Sequence, residues 1–184
     1  MTLAAVVLTG GTGARLGGRD KASIELGGST LLERALAATV GAHPVVVVGE
    51  AVPTSRPVTF AREEPAYGGP VAGLLAGRRA LTPTPDLLVV LAVDMPFVTA
   101  GTVARLVAAA NDGDGSVLTG PDGRRRLVLV VRTARLDDVS PTDPHGCPVH
   151  VLLAPLDLRQ VTAVGLEGRG VDTVEDLREL EAGG

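Results

Sequence analysis

Runs of apolar residues, set off by glycine, proline and charged positions, recur along the chain, and three of them are unbroken: LAAVVL at residues 3–8, PVVVVG at 44–49 and LLVVLAV at 87–93. Each is too short for an independent helix and rich in aliphatic side chains, the pattern of strands covered on both faces. Between them the period changes. TLLERALAATV (30–40) spaces leucines and alanines three and four apart behind Ser29, a candidate cap, and VAGLLAGRRAL (71–81) continues the theme. Strand alternating with helix predicts crossover connections and a parallel sheet.

The later part of the chain is less regular. TAGTVARLVAAAND (99–112) reads as a capped helix, SVLTG and RRLVLVVRT as a strand pair around the turn PDGR, and VHVLLAPL (149–156) fits helix or strand. TVEDLRELEA (173–182) opens on a threonine and carries acidic residues in its first turn, as capped helices do. No repeat or linker interrupts the pattern. The expectation is one doubly wound, mostly parallel α/β domain spanning residues 1–184.

Composition narrows the picture. Hydrophobic residues make up 45% of the 184 positions but aromatics only 2%, with no tryptophan, so the core must be aliphatic. A net charge of −4 leaves no broad basic footprint for nucleic acid, and any anion must be caught by a local cluster. Cys147 is the single cysteine and can form neither an internal disulfide nor a CxxC metal site. No apolar run approaches the roughly 18 residues of a membrane span, and the first one lacks the basic flank of a leader. These features predict a soluble, cytoplasmic protein.

In α/β sheets of this kind ligands bind beyond the carboxyl ends of the strands, where strand order reverses. Three motifs follow predicted strands and would gather there. LTGGTGARLGGRDK (8–21) packs glycines around Arg15 and Lys21, so backbone N–H groups and two cations could grip a polyphosphate. It is neither a P-loop, since Gly18 is followed by Arg19 and Asp20, nor a GxGxxG turn, since Leu16 breaks that spacing. LAVDMPF (91–97) sets Asp94 at a strand end, well placed to bind Mg2+ together with substrate phosphates. YGGPVAG (67–73) brings glycines before a helix, where backbone groups can approach a base or sugar. Each motif also has a plain structural alternative: a solvated turn, an aspartate cap before proline, an ordinary helix start.

Taken together, these segments resemble the molybdenum cofactor guanylyltransferases, nucleotidyltransferases of Rossmann-like fold. The family's LAGGxSxRMGxDK stands here as LTGGTGARLGGRDK, its GPLAG as GGPVAG, its strand-end aspartate as VDMPF and its late NVNTPED as GVDTVEDL (170–177). The resemblance implies a nucleotide site formed by Leu8, Gly10, Gly11, Lys21, Glu63 or Glu64, Gly69 and Asp94. It implies Arg15, Lys21 and Asp94 as catalytic residues, and Mg2+ as cofactor on Asp94 and on Asp172, which stands where an asparagine is usual. It also implies transfer of GMP from GTP to a phosphorylated acceptor, molybdopterin, with release of pyrophosphate. The resemblance further implies GTP over CTP, since the paired Gly10 and Gly11 and the GGPVAG run are unlike the related cytidylyltransferases.

Two alternatives stay open: transfer to another phosphorylated small molecule, and a nucleotide-binding homologue without turnover. Arg124, Arg125 and Arg126 read either as an acceptor-phosphate clamp or as a solvated turn. His43, His145 and His150 read as surface residues, and Cys147 as an incidental thiol.

Overall fold

A computed structural model describes residues 1–10, 20–64 and 66–182 of the chain. Its frame is a seven-stranded sheet in the order β5-β4-β1-β6-β8-β7-β9. The strands are β1 (Leu3–Leu8), β4 (Val45–Val48), β5 (Thr59–Ala61), β6 (Leu87–Ala92), β7 (Gly115–Thr119), β8 (Arg125–Arg132) and β9 (Leu158–Thr162). All run in one direction except β8, which lies antiparallel between β6 and β7. The sheet is therefore mostly parallel, as the alternating pattern predicts. Glu25–Leu26 (β2) and Ser29–Thr30 (β3) add a separate two-stranded ribbon.

Both faces of the sheet are covered, which is why the central strands carry no polar alternation. Every residue of β6 is buried, and so is every residue of β1 after Leu3. One face takes Ala5, Val7, Val47, Val89 and Val130 against α1 (Leu31–Ala38), α3 (Ala100–Ala109) and α6 (Val174–Ala182). The other takes Val6, Val46, Leu88, Val90 and Leu129 against α2 (Pro70–Arg79), α4 (Thr133–Val139) and α5 (Val149–Leu153). Each buried valine or leucine contributes about 1.5–3 kcal/mol relative to exposure, so the core is supplied by many aliphatic side chains in place of aromatic ones. Among the described residues, no helix is long and apolar enough to cross a membrane.

Several expectations are refined. The cap of α1 is Thr30 and not Ser29: the Thr30 hydroxyl accepts from the Glu33 N–H at 3.1 Å, while Ser29 is drawn into β3. Within residues 149–156 a short helix forms over Val149–Leu153, with Leu152 and Leu153 buried. Thr99 and Thr102 form a reciprocal capping box at the start of α3. The β7–β8 hairpin turns at Gly123, whose φ of +73° suits glycine. Strands β5 and β9 and helix α4 carry no clear signal in the sequence: β5 is three residues long, and β9 is an edge strand whose LRQVT buries Leu158 fully and little else.

Candidate functional site

Strand order reverses at β1, which pairs on one side with β4, the next strand of this sheet along the chain, and on the other with β6. Beyond the carboxyl ends of these strands lies a cavity of about 370 Å³. Leu8, Val48 and Ala92 form its strand-end lining, and Gly10, Glu63, Gly69 and Asp94 also border it. Five positions singled out from sequence, Leu8, Gly10, Glu63, Gly69 and Asp94, thus share one space, while exposed Glu64 is not part of the lining. Gly11 and Arg15 lie outside the described residues.

Lys21 reaches Asp94. It opens a short 3-10 turn, Lys21–Ser23, capped by Asp20, whose carboxylate accepts from the Ala22 N–H at 3.2 Å and the Ser23 hydroxyl at 3.1 Å. Ala22 and Ile24 are buried in the core and anchor the turn. The Lys21 ammonium donates to Asp94 Oδ2 at 3.1 Å and to Asp172 Oδ1 at 3.3 Å. Both aspartates named as metal ligands from sequence therefore converge on a single cation position. Burial pushes the Asp94 carboxyl above the ordinary carboxylate range; the Lys21 ammonium pulls against this, and Asp172 adds to the rise.

The two aspartates are held by backbone. The Asp94 carbonyl accepts from the Val171 N–H at 2.8 Å, which ties the end of β6 to the segment before α6. The Asp176 carboxylate accepts from the N–H of Asp172 and, at 2.9 Å, from the hydroxyl of Thr173, whose own oxygen receives the Asp176 N–H. This is the capped helix start that TVED predicts, and it sets Asp172 just outside the helix. Those same bonds hold the Asp176 carboxyl below its usual range.

On the α2 side, Gly69 precedes the helix with φ +90° and Pro70 opens it. Gly73 faces the cavity, where a methyl group would stand 3.5 Å from Glu63 Oε2 and from Leu8 Cδ2, an ordinary contact. One turn later, a methyl at Gly77 would stand 2.6 Å from Val6 Cγ1 and 2.9 Å from Val48 Cγ2, so glycine is what lets α2 lie close on the sheet.

Tyr67, Pro70, Gly73 and Leu127 complete the lining and, like Val48 and Ala92, were not assigned from sequence. Tyr67 stands inside YGGPVAG as the single tyrosine of the chain, a signal that could have found it. Leu127 arrives on β8, which the chain pattern cannot place beside β6.

The arginine triplet divides. Arg126 donates to the Gly168 carbonyl at 2.7 Å and to Asp122 at 3.0 Å, bonds that tie the β7–β8 turn to the 164–169 loop. Arg124 and Arg125 are exposed. His43, His145 and His150 are exposed and outside the cavity lining, as expected, and Cys147 packs half-buried beside the α2–α5 core.

Comparison with known proteins bears on this arrangement. Residues 5–171 match the model of the MobA-like NTP transferase domain. The molybdenum cofactor guanylyltransferase of Acidiphilium cryptum is 41% identical over 116 residues, which are 58% of this chain and 58% of that one. That of Mesorhizobium japonicum is 33% identical over 134 residues, 67% of this chain and 63% of the relative. The chain thus spans 58% to 63% of the length of these two relatives. Among solved structures, a Mycobacterium tuberculosis protein in complex with manganese superposes with a TM-score of 0.73 at 18% identity, covering 98% of both chains. That likeness establishes the fold, with its seven-stranded sheet and flanking helices, and the match over residues 5–171 establishes the lineage: the chain belongs to the MobA-like NTP transferase family of nucleotidyltransferases.

Proposed function

We propose that the protein transfers GMP from GTP to the phosphate of molybdopterin. The observation that carries this reading is the meeting of Lys21, Asp94 and Asp172 at a cavity that Asp94 lines together with Gly10. It is supported by the names of the relatives, both molybdenum cofactor guanylyltransferases.

In the reaction an oxygen of the acceptor phosphate attacks the α-phosphorus of GTP, a new P–O bond forms, and the bond from the α-phosphorus to its bridging oxygen breaks to release pyrophosphate. A phosphate monoester is largely ionised at neutral pH, its second pKa being about 6, so the attacking oxygen needs no general base. What the protein must supply is position and positive charge. Lys21 and Arg15 supply charge toward the triphosphate, Gly10 and Gly11 allow the backbone close to it, and Glu63 and Gly69 meet the base. Leu8 gives the base an apolar floor.

A divalent ion fits the same residues. Two carboxylates already lie within 3.3 Å of one ammonium, and among the described residues no cluster of three or more acidic, histidine or cysteine side chains offers a closed cage. Mg2+ is characteristically held by one or two carboxylates and otherwise by waters and substrate phosphates. Asp94 and Asp172 would hold it, and when bound it would neutralise charge building on the phosphates.

The test is pyrophosphate release with Mg2+, comparing GTP, CTP, ATP and UTP with and without molybdopterin. Release that requires both GTP and molybdopterin is expected. Preference for CTP, turnover with a different phosphorylated acceptor, or binding without release would overturn it.

A further inference from the structure

The chain has one tyrosine, two phenylalanines and no tryptophan. Phe60 and Phe97 pack against the hydrophobic core. Tyr67 does not: it is 79% exposed, yet it lines the cavity that also holds Glu63, Gly69 and Asp94. An aliphatic protein that keeps its only uncommitted aromatic ring at the lining of this cavity has placed it where it can meet a ligand.

The backbone supports a fixed position for that ring. Tyr67 adopts φ +64° and is the one described non-glycine residue on the positive side, a conformation a bulky residue takes up only when its surroundings impose it. The surroundings are visible. The next carbonyl, that of Gly68, accepts the Gly146 N–H at 2.8 Å, so the 143–147 segment clasps the loop from outside. Gly69 then turns with φ +90°, and its carbonyl accepts the Gly73 N–H at 3.0 Å inside α2. Tyr67 is held between a clasp and a helix start, and it shares the cavity lining with Leu8, Val48, Ala92 and Leu127, all aliphatic.

We propose that Tyr67 stacks on the purine ring of the bound nucleotide, closing the cavity opposite the aliphatic floor. A flat aromatic ligand is the occupant this geometry suits, because an aliphatic floor and an aromatic lip together cover both faces of a planar ring, and base–aromatic stacking does not depend on hydrogen-bond pattern. The proposal rests on the nucleotide-site reading and assigns Tyr67 to binding, leaving the chemical step to other groups.

The test uses the lone tyrosine as its own reporter, since no tryptophan masks its emission. Tyrosine fluorescence of the wild type is titrated with GTP and, separately, with inorganic tripolyphosphate, both with Mg2+ and with inner-filter correction against free tyrosinamide. Quenching by GTP but not by tripolyphosphate is expected. In pyrophosphate-release assays, Tyr67→Ala raises KM for GTP roughly tenfold with kcat nearly unchanged, and Tyr67→Phe behaves as wild type. Equal quenching by tripolyphosphate, no quenching by GTP, or a KM within twofold of wild type for Tyr67→Ala overturns the proposal. Quenching by GTP without pyrophosphate release sustains the stacking while overturning the transferase reading, so the two fail separately. Should Tyr67→Ala not fold, the wild-type titrations and Tyr67→Phe still decide.

Discussion

Two charged clusters, one around Glu167 and one around Asp94, differ in how completely their bonds are used among the described residues. Around Glu167, Arg105 donates to both carboxylate oxygens, at 3.2 and 2.5 Å, the buried Thr102 hydroxyl donates at 2.6 Å, and the Val164 N–H adds a fourth bond. Burial pushes the Glu167 carboxyl up, but these donors outweigh it and hold the group below its ordinary range. Around Asp94 a single lysine serves two carboxylates, at longer distances, and burial wins, so the carboxyl rises. The first cluster is saturated and locks the 164–169 loop onto α3. Among the described residues the second has capacity left over beside a cavity, which is what a site awaiting a charged ligand requires.

The contrast can be broken most forcefully at Lys21. Lys21→Met should lower turnover in pyrophosphate release by two to three orders of magnitude, the scale of losing one preorganised electrostatic group, on the order of 3–4 kcal/mol. A variant retaining more than a tenth of wild-type turnover would show that the second cluster is merely structural.

The two glycines of α2 extend the contrast into packing. Gly77→Ala forces a methyl against the stiff side chains of Val6 and Val48 and should cost about 1–3 kcal/mol in denaturant unfolding. Gly73→Ala meets only ordinary contacts and should be nearly neutral for stability, while projecting into the cavity beside Glu63. Equal losses of stability at both positions would remove the distinction between the wall and the support.

At the saturated cluster, Glu167→Gln should cost about 1–2 kcal/mol, discounted because Arg105 is partly exposed, and should lower Tm by several degrees. The smallest effect is its pH dependence. Because the folded-state pKa of Glu167 is depressed, its contribution is full above the unfolded pKa, about 4.3, and fades as pH falls through the lower folded value. The Tm difference between wild type and Glu167→Gln should therefore hold constant at neutral pH and shrink below about pH 4. A difference that grows on acidification would contradict the assignment.

Much of this was legible in the residue pattern, for physical reasons that also mark where it stops. The runs at 3–8, 44–49 and 87–93 announce β1, β4 and β6 because strands buried on both faces need unbroken aliphatic sequence. Asp94 and Gly69 could be placed because they directly follow a strand or precede a helix. Strand β9 could not, since at an edge only Leu158 needs full burial and its neighbours stay polar. The Glu167 cluster was missed as well: Thr102, Arg105 and Glu167 meet only because the chain returns past α3 more than sixty residues later. Arg126 looked like part of a basic run, yet its guanidinium is taken up by the Gly168 carbonyl and Asp122, partners that the hairpin and the returning loop bring to it.

The central claim is that the unsaturated cluster serves turnover and the saturated one serves the fold. The most direct test is to measure pyrophosphate release and Tm side by side for Asp94→Asn and Glu167→Gln, at a temperature where both are folded. Removing the ionised form of a carboxyl that burial disfavours should leave the Tm of Asp94→Asn unchanged or raised while turnover falls at least a hundredfold, and Glu167→Gln should lose Tm with turnover within about threefold of wild type. An Asp94→Asn variant that keeps its turnover, or loses it only in step with its stability, would contradict the account.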